Sequence, residues 1–155
     1  MRLIKPTYKI IEQEAGLNGI FKQIELAGRT CYKSEDKITE NSSKEFVERM
    51  TKSGHGAMLE HGTVYLKFKT NEDVDNIYHY QRNKYSIINI DKTKLVEGSA
   101  FEEYYAYITT NYRVLVENKW LDDLQHICEP TEFHEKRITV KFVCDRGVSH
   151  KQFVA

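Results

Sequence analysis

The pattern of hydrophobic and polar residues changes its period near residue 63. From there, apolar side chains alternate with polar or aromatic ones, which is typical of a half-buried strand. One face of this predicted strand carries Val64, Leu66 and Phe68. Residues 2–12 and 137–145 alternate in a similar way, so we expect short strands there too, the first of them an edge strand that begins after Pro6.

Upstream of that strand, apolar residues recur at helical spacing instead. Asn18 opens the first predicted helix, which should end near Gly28. A second helix is predicted from Ser42, because Ser42 followed by Glu45 forms a capping box. Its buried stripe consists of Phe46, Val47 and Met50. Gly54 should end this helix, since glycine tolerates the left-handed backbone of a helix C-cap.

The middle of the chain is less regular. Residues 70–100 are polar and weakly periodic, and they predict an excursion on the surface. A strand is expected over 104–109, followed by a helix that Asn111 caps and Pro130 closes. Helices and strands in mixed order indicate an α+β fold with an antiparallel type of sheet. A length of 155 residues suits one domain over 1–155.

Composition limits the classes of function. Lys plus Arg equals Asp plus Glu at 23 each, so the chain lacks the basic excess of a general nucleic-acid or membrane-surface binder. Three cysteines without a CxxC pair argue against a disulfide framework or a structural zinc site. The N-terminus has no apolar run long enough for a signal peptide or a membrane span. We therefore expect a soluble cytoplasmic protein without nucleic-acid or membrane partners.

The segment 53–61 carries most of the candidate chemistry. It places two imidazoles, a carboxylate and two glycines between a predicted helix and a predicted strand. These residues either end the helix, where histidine complements the negative end of the dipole, or form the edge of a ligand site. His55 and His61 lack the i, i+4 spacing of a helical ligand pair, so no metal is predicted.

A second polar segment, 145–150, closes a predicted strand with a cation, a hydroxyl and an imidazole. Such donors complement phosphate oxygens, and the alternative is a solvated turn. Without a Walker loop or a GxGxxG motif, a Rossmann dinucleotide fold has no support. Cys31 has no neighbouring histidine in sequence, so we expect a small buried hydrophobe rather than a nucleophile. The aromatic cluster over 101–112 is expected in a core or at an interface.

Five segments, in this order, resemble the flavin-dependent thymidylate synthase family. They are 28–34, 54–61, 109–115, 134–137 and 145–150. The third and fourth resemble the family members that carry a longer insert, which would lie around 70–135 here. Each segment alone is a weak signal, whereas the ordered set is fairly specific and spans the chain from Gly28 to His150.

The resemblance implies that the chain methylates dUMP to dTMP. Methylene-tetrahydrofolate would be the carbon donor, reduced FAD the hydride source, and NADPH the reductant that regenerates the flavin. His55 would be catalytic and bind FAD, Glu60 would also bind FAD, and Gln152 would contact the nucleotide substrate. The family also implies a homotetramer with active sites at subunit junctions, and the aromatic segment 101–112 is the candidate for part of such a surface.

The chain departs from the family pattern at two places. Gly56 and Ala57 stand near a point where the family often carries a hydroxyl. Family members follow the segment 145–150 with an Arg-His-Arg run that holds phosphate groups, and this chain reads Lys-Gln-Phe-Val-Ala there. The resemblance therefore implies the N-terminal, truncated part of such an enzyme, with weak FAD binding. The alternative is a non-catalytic relative that folds or assembles only as a nucleotide-binding module.

Overall fold

The computed structural model describes residues 5–91 and 104–144. The chain separates into two compact units, one formed by 1–12 with 137–155 and the other by 13–136. Both units contain antiparallel strands, and the described helices belong to the larger one. The fold is therefore α+β with antiparallel sheets, as the mixed order of the sequence patterns predicts. That residues 1–155 form one domain stays a prediction.

In its described part, the smaller unit is a two-stranded antiparallel ribbon. It pairs β1 (Thr7–Ile11) with β5 (Thr139–Val143), and both strands lie inside the stretches where alternation predicts them. Tyr8 lies opposite Phe142, and their side chains are 72% and 55% exposed. A two-stranded ribbon has no second layer of its own, so its apolar positions stay open to solvent.

A three-stranded antiparallel sheet forms the centre of the larger unit. The strand order is β2 (Thr63–Lys69), β4 (Tyr105–Asn111) and β3 (Ile87–Asp91), with β4 in the middle. The predicted apolar face of β2 is fully buried. Its members are Val64, Leu66 and Phe68. The alternation in the sequence therefore identified a face that packs on the core.

The described part of the larger unit contains five α-helices. They are α1 (Gly16–Cys31), α2 (Ser42–Lys52), α3 (Gly56–Leu59), α4 (Val74–Arg82) and α5 (Tyr112–Asn118). Short 3-10 helices follow at Glu35–Lys37 and Leu121–His126. Buried apolar side chains from α1, α2 and α5 join those of the sheet in one hydrophobic cluster. Asn111 caps α5 as predicted, because its side chain accepts a hydrogen bond from the Val114 N–H.

Two local predictions for the first helices are wrong for tertiary reasons. Gly28 does not end α1, which continues to Cys31, and a Cβ at Gly28 would lie 2.5 Å from the Phe46 ring. Glycine at this position therefore lets α2 pack closely on α1. Ser42 forms no capping box either, because its hydroxyl donates to Glu25 Oε2 at 2.9 Å. The hydroxyl joins two helices instead of capping one.

The segment 70–91 is not the surface excursion that its weak periodicity predicts. It contains α4, whose Tyr80 is fully buried, and β3, which pairs along β4. Tyr80 is the buried residue of α4, so the helix has too narrow an apolar stripe to give a periodic signal. The region around 70–135 supplies two of the three strands of the sheet, including the central one.

His134 anchors the segment that follows the last 3-10 helix to the sheet. Its side chain is 5% exposed, its Nδ1 accepts from the Thr131 N–H at 3.0 Å, and its Nε2 lies 3.2 Å from the Leu66 carbonyl oxygen. A backbone donor at Nδ1 requires that nitrogen to be unprotonated, so Nε2–H donates to Leu66. Burial lowers the pKa of His134, which favours this neutral form.

We expect the free energy of unfolding to decrease as the pH falls below about 6.5, the ordinary histidine pKa. Above that pH, His134 is neutral in both the folded and the unfolded chain. Below it, the unfolded chain takes up a proton that the folded chain binds only past its lower pKa, so stability is lost. Urea unfolding from about pH 8 to about pH 5, followed by the fluorescence of the single tryptophan, Trp120, measures this loss.

His134→Gln is the matched variant for this measurement. A glutamine keeps an N–H donor toward the Leu66 carbonyl but does not titrate in this range. The variant should therefore flatten this part of the stability profile. An unchanged pH dependence in His134→Gln would assign the loss to other groups.

Candidate functional site

Gly54 ends α2 and directs the chain into the candidate site, as the sequence predicts. Its φ is 71°, in the left-handed region. The His55 N–H donates to the Met50 carbonyl at 3.0 Å and the Gly54 N–H to the Thr51 carbonyl at 3.2 Å, which is the Schellman pattern. His55 then stands at the N-cap of the short helix α3, so its position is set by backbone geometry.

His55 is exposed and contacts a side chain from the end of α1. Its Nδ1 lies 3.0 Å from the Tyr32 hydroxyl oxygen. The Tyr32 hydroxyl and His55 Nδ1 share one hydrogen bond. Within the described residues, Nε2 has no hydrogen-bond partner. The contact orients the imidazole and leaves its Nε2 atom for a ligand.

Glu60 follows α3 and forms an ion pair with Arg113 of α5, through Oε1 and Nη1. Arg113 Nε also donates to Glu117 Oε1 at 2.6 Å. The hydrogen bonds that Arg113 donates to Glu117 and Glu60 raise its pKa, so it stays a cation. The side chains of Arg113 and Glu60 are 36% and 49% exposed, so water screens the pair and it adds little stability.

Gly56 leaves room for the Arg113 side chain. A Cβ at Gly56 would lie 2.8 Å from Arg113 Nε. A hydroxyl residue of the kind that the family often carries near this point would displace the guanidinium if it stood at position 56. The Glu60–Arg113 ion pair as observed therefore depends on the absence of a side chain at position 56.

Four side chains from separate parts of the larger unit form the candidate site. They are Tyr32, His55, Glu60 and Arg113. The short helix α3 packs against α1, α2 and α5. This packing brings Tyr32 to His55 and Arg113 to Glu60. The set offers an imidazole donor, a carboxylate and a guanidinium to solvent. Such groups suit a ligand that carries hydroxyls and oxyanions.

Sequence reasoning named His55 and Glu60 but missed Tyr32 and Arg113. Both lie in segments on which the family resemblance rests, so that resemblance was the available signal. Composition and periodicity gave no reason to select either one. Their partners lie 23 and 53 residues away in the chain.

The remaining predicted residues are either not described by the structure or placed differently from the prediction. Gln152 and the segment 145–150 lie outside the described residues, so their approach to His55 stays a prediction. The prediction for Cys31 is wrong, because its side chain is exposed rather than a buried hydrophobe. It is the last residue of α1, beyond the point at which Phe46 covers the helix.

The aromatic segment is only partly buried in its described part, where Tyr104 and Tyr105 are half-buried. Tyr105–Asn111 is the central strand, and Tyr107 and Tyr112 are 4% and 8% exposed. Tyr107 stacks on Phe133 with ring centroids 4.9 Å apart. The core alternative is therefore confirmed for Tyr107 and Tyr112. Phe101 lies outside the described residues, and an assembly surface formed by this segment stays a prediction.

Two searches of the described residues concern metals and membranes. Over 5–91 and 104–144, no three His, Cys, Asp or Glu side chains are grouped as a metal ion would require. Over the same ranges, no helix is both long enough and apolar enough to cross a membrane.

Comparison of the chain with protein-family models, with curated proteins and with solved structures gives no match.

Proposed function

We propose that the chain is a flavin-dependent thymidylate synthase with the fold of that family. It would methylate dUMP to dTMP with methylene-tetrahydrofolate, reduced FAD and NADPH, as a cytoplasmic homotetramer. One observation supports the proposal most. Three of the segments that resemble the family, 28–34, 54–61 and 109–115, meet through the contacts Tyr32–His55 and Glu60–Arg113.

This meeting is informative because the contacts involve exposed polar side chains. Core packing brings apolar residues together whatever the function of a protein, and these four contribute little to the core. Exposed ion pairs also add little stability, so stability alone does not account for the cluster. A ligand site would account for the assembly of these groups.

The groups of the cluster fit a flavin nucleotide. The Glu60 carboxylate can accept from ribose hydroxyls, and the Arg113 guanidinium can donate to phosphate or ring carbonyl oxygens. His55 Nε2–H is a further donor for the polar edge of the flavin. Reduced FAD, when bound, supplies a hydride. The residues of the chain bind and orient the reactants and balance their charge.

Tyr32 determines what His55 can do in this site. In the proposed site the Tyr32 hydroxyl, 3.0 Å from Nδ1, donates to that nitrogen, which would place the ring proton on Nε2. The imidazole then presents a donor at a fixed angle. In the proposed role, His55 holds that proton toward the cofactor, and Tyr32 is a positioning residue.

Titration of the chain with FAD, followed by flavin fluorescence anisotropy, tests the flavin site. We expect weak but saturable binding. His55→Ala and Glu60→Ala should each weaken it by about tenfold, the effect of losing one hydrogen bond of about 1.4 kcal/mol. His61→Ala removes the other imidazole of the same segment and should leave the affinity unchanged. Binding that never saturates, or an equal loss in His61→Ala, would reject the site.

Formation of dTMP separates the enzyme from the non-catalytic alternative. The assay combines the chain with dUMP, methylene-tetrahydrofolate, FAD and NADPH. Turnover that His55→Ala lowers without unfolding the protein supports the proposed enzyme. Saturable FAD binding without turnover favours a nucleotide-binding relative instead.

A further inference from the structure

Strand β3 lies at one edge of the three-stranded sheet, so half of its backbone groups point away from β4. The Tyr112 N–H donates to the Gly62 carbonyl at 2.9 Å, so the even-numbered residues of β2 and β4 bond to each other. The odd-numbered residues of β4 therefore bond to β3, which pairs odd with odd numbers. The N–H and C=O groups of Ile88 and Ile90 consequently point outward. Over 5–91 and 104–144, no hydrogen bond reaches them.

β3 has none of the devices that usually keep an edge strand from pairing with another chain, which are lysine, proline and β-bulges. Its sequence is Ile-Ile-Asn-Ile-Asp, and it pairs with β4 residue by residue over its whole length. The edge formed by β2 is different. There the outward carbonyl of Tyr65 accepts from the Cys128 N–H, and the Gln13 side chain bonds the backbone of Thr63. In the described part of the chain, the edge at β3 is therefore the open one.

Exposed apolar side chains are concentrated beside this edge. Between residues 74 and 90, five large ones are 42–54% exposed, more than half of the exposed large hydrophobic residues in the described part of the larger unit. They are Val74, Tyr78, Tyr85, Ile87 and Ile90. These residues belong to α4, the turn after it and β3, and α4 packs on β3. Apolar surface gathered in one region of a soluble domain favours an interaction site.

A cavity of about 220 Å³ lies between α4 and β3. Its lining residues are Ile77, Gln81, Ser86, Ile88 and Ile90. Ile90 is 48% exposed, so the cavity is open along the edge strand. A strand added to β3 would place every second side chain on this face of the sheet. Apolar side chains at those positions would cover the cavity.

We propose that two copies of the chain associate through their β3 strands, antiparallel about a twofold axis. The register that uses all the outward groups places Ile88 opposite Ile90 of the second copy, and each such pair exchanges two hydrogen bonds. The axis then passes Asn89. The isoleucine side chains of both strands lie on one face, where they contact each other and close both cavities. The two sheets become one six-stranded antiparallel sheet.

Charge and side-chain identity favour a second copy as the occupant of this edge. In this register Asn89 lies opposite Asn89 and Asp91 opposite Ile87, so no like charges meet across the strands. The second copy also supplies the apolar side chains that the cavity requires. The contact is isologous, so it closes at two copies. β3 contributes no residue to the His55 site, and the proposal does not depend on the thymidylate synthase function.

Sedimentation velocity of the 155-residue chain tests the association from about 5 to about 500 μM, because a contact this small predicts a micromolar dissociation constant. We expect a reversible monomer–dimer equilibrium. Ile90→Lys puts a charge among the isoleucines and should weaken the dimer by at least about tenfold. Ile90→Pro removes an N–H that does not bond β4, and it should weaken the dimer as much. Ile38→Lys makes the same change at an isoleucine that is 39% exposed and should change nothing. Trp120 fluorescence checks that each variant is folded.

Amide hydrogen exchange measures the same edge in the unaltered chain. The Ile88 and Ile90 amides should exchange slowly only at concentrations at which the dimer forms, whereas the Asn89 amide, bonded to β4, should be protected throughout. A monomer at the highest concentration, or a dimer that Ile90→Lys leaves intact, would overturn the proposal. Protection of Ile88 and Ile90 in a monomer would assign the edge to another part of the same chain and overturn it as well. A tetramer that Ile90→Lys splits into dimers supports the contact.

Discussion

Replacing Glu25 by alanine should lower the free energy of unfolding by about 3–5 kcal/mol, since it leaves the largely covered guanidinium of Arg29 without its carboxylate. Glu25 is 1% exposed. It accepts hydrogen bonds from Arg29 Nε at 3.2 Å and from the Ser42 hydroxyl at 2.9 Å, so it joins α1 to the start of α2. The Arg29 guanidinium also lies over the Phe46 ring and is largely covered. Small domains are stable by about 5–15 kcal/mol, so this loss is a large fraction.

Urea unfolding followed by Trp120 fluorescence measures this effect, and Glu14→Ala is its control. Glu14 forms an ion pair with Lys22 in which the side chains are 65% and 41% exposed, so its removal should cost less than about 1 kcal/mol. The double change Glu25→Leu with Arg29→Met should recover much of the loss, because apolar residues of similar size can replace a buried ion pair. If Glu25→Ala lowers the free energy of unfolding no more than Glu14→Ala does, the hydrogen bonds of Glu25 do not stabilise the contact between α1 and α2.

Asp123→Ala should have the second-largest effect, a loss of roughly 2–4 kcal/mol, because the buried Tyr80 hydroxyl and the partly buried Asn76 amide lose their acceptor. The Tyr80 hydroxyl donates to Asp123 Oδ2 at 2.8 Å, and Asn76 Nδ2 donates to Oδ1 at 3.2 Å. These bonds join α4 to the 3-10 helix Leu121–His126. Burial raises the pKa values of both Tyr80 and Asp123, so the carboxylate depends on its donors to stay ionised.

A double-mutant cycle on Tyr80 and Asp123 isolates this contact. Tyr80→Phe should cost about 1–3 kcal/mol alone and much less in the Asp123→Ala background, since its partner is already absent. Asp122→Ala removes the exposed neighbouring carboxylate and should leave stability nearly unchanged. Fully additive losses from Tyr80→Phe and Asp123→Ala would show that the hydrogen bond contributes nothing.

The parts of the fold that could be predicted from the sequence are those with one continuous buried face. β2 has this property, because its three alternating apolar residues are all fully buried. β3 lacks it, since only Asp91 at its end is buried, and α4 has only Tyr80. Both elements form because the sheet and Asp123 hold them, and such tertiary causes leave no period in the sequence.

The candidate site also has a part that the sequence predicts and a part that only the packing of the helices determines. The stop at Gly54 is a local property of a glycine that can adopt a left-handed backbone, so the sequence predicts it. The pairing of Tyr32 with His55 and of Glu60 with Arg113 depends on how three helices pack around α3, so spacing along the chain could not predict it. Ser42 shows the opposite error, in which a local motif is overridden by Glu25 from another helix.

The central position of β4 affects the order in which the protein can fold during synthesis. Leu66 of β2 lies opposite Ile108 of β4, about 40 residues later in the chain. Since ribosomes add about 5–20 residues per second, β4 is synthesised roughly 2–8 s after β2. The apolar face of β2 has no neighbouring strand to pair with during that time. β3 is also made before β4 and waits for the same partner. During those seconds the nascent chain exposes unpaired strand edges beside an open apolar face, which is the state that molecular chaperones bind.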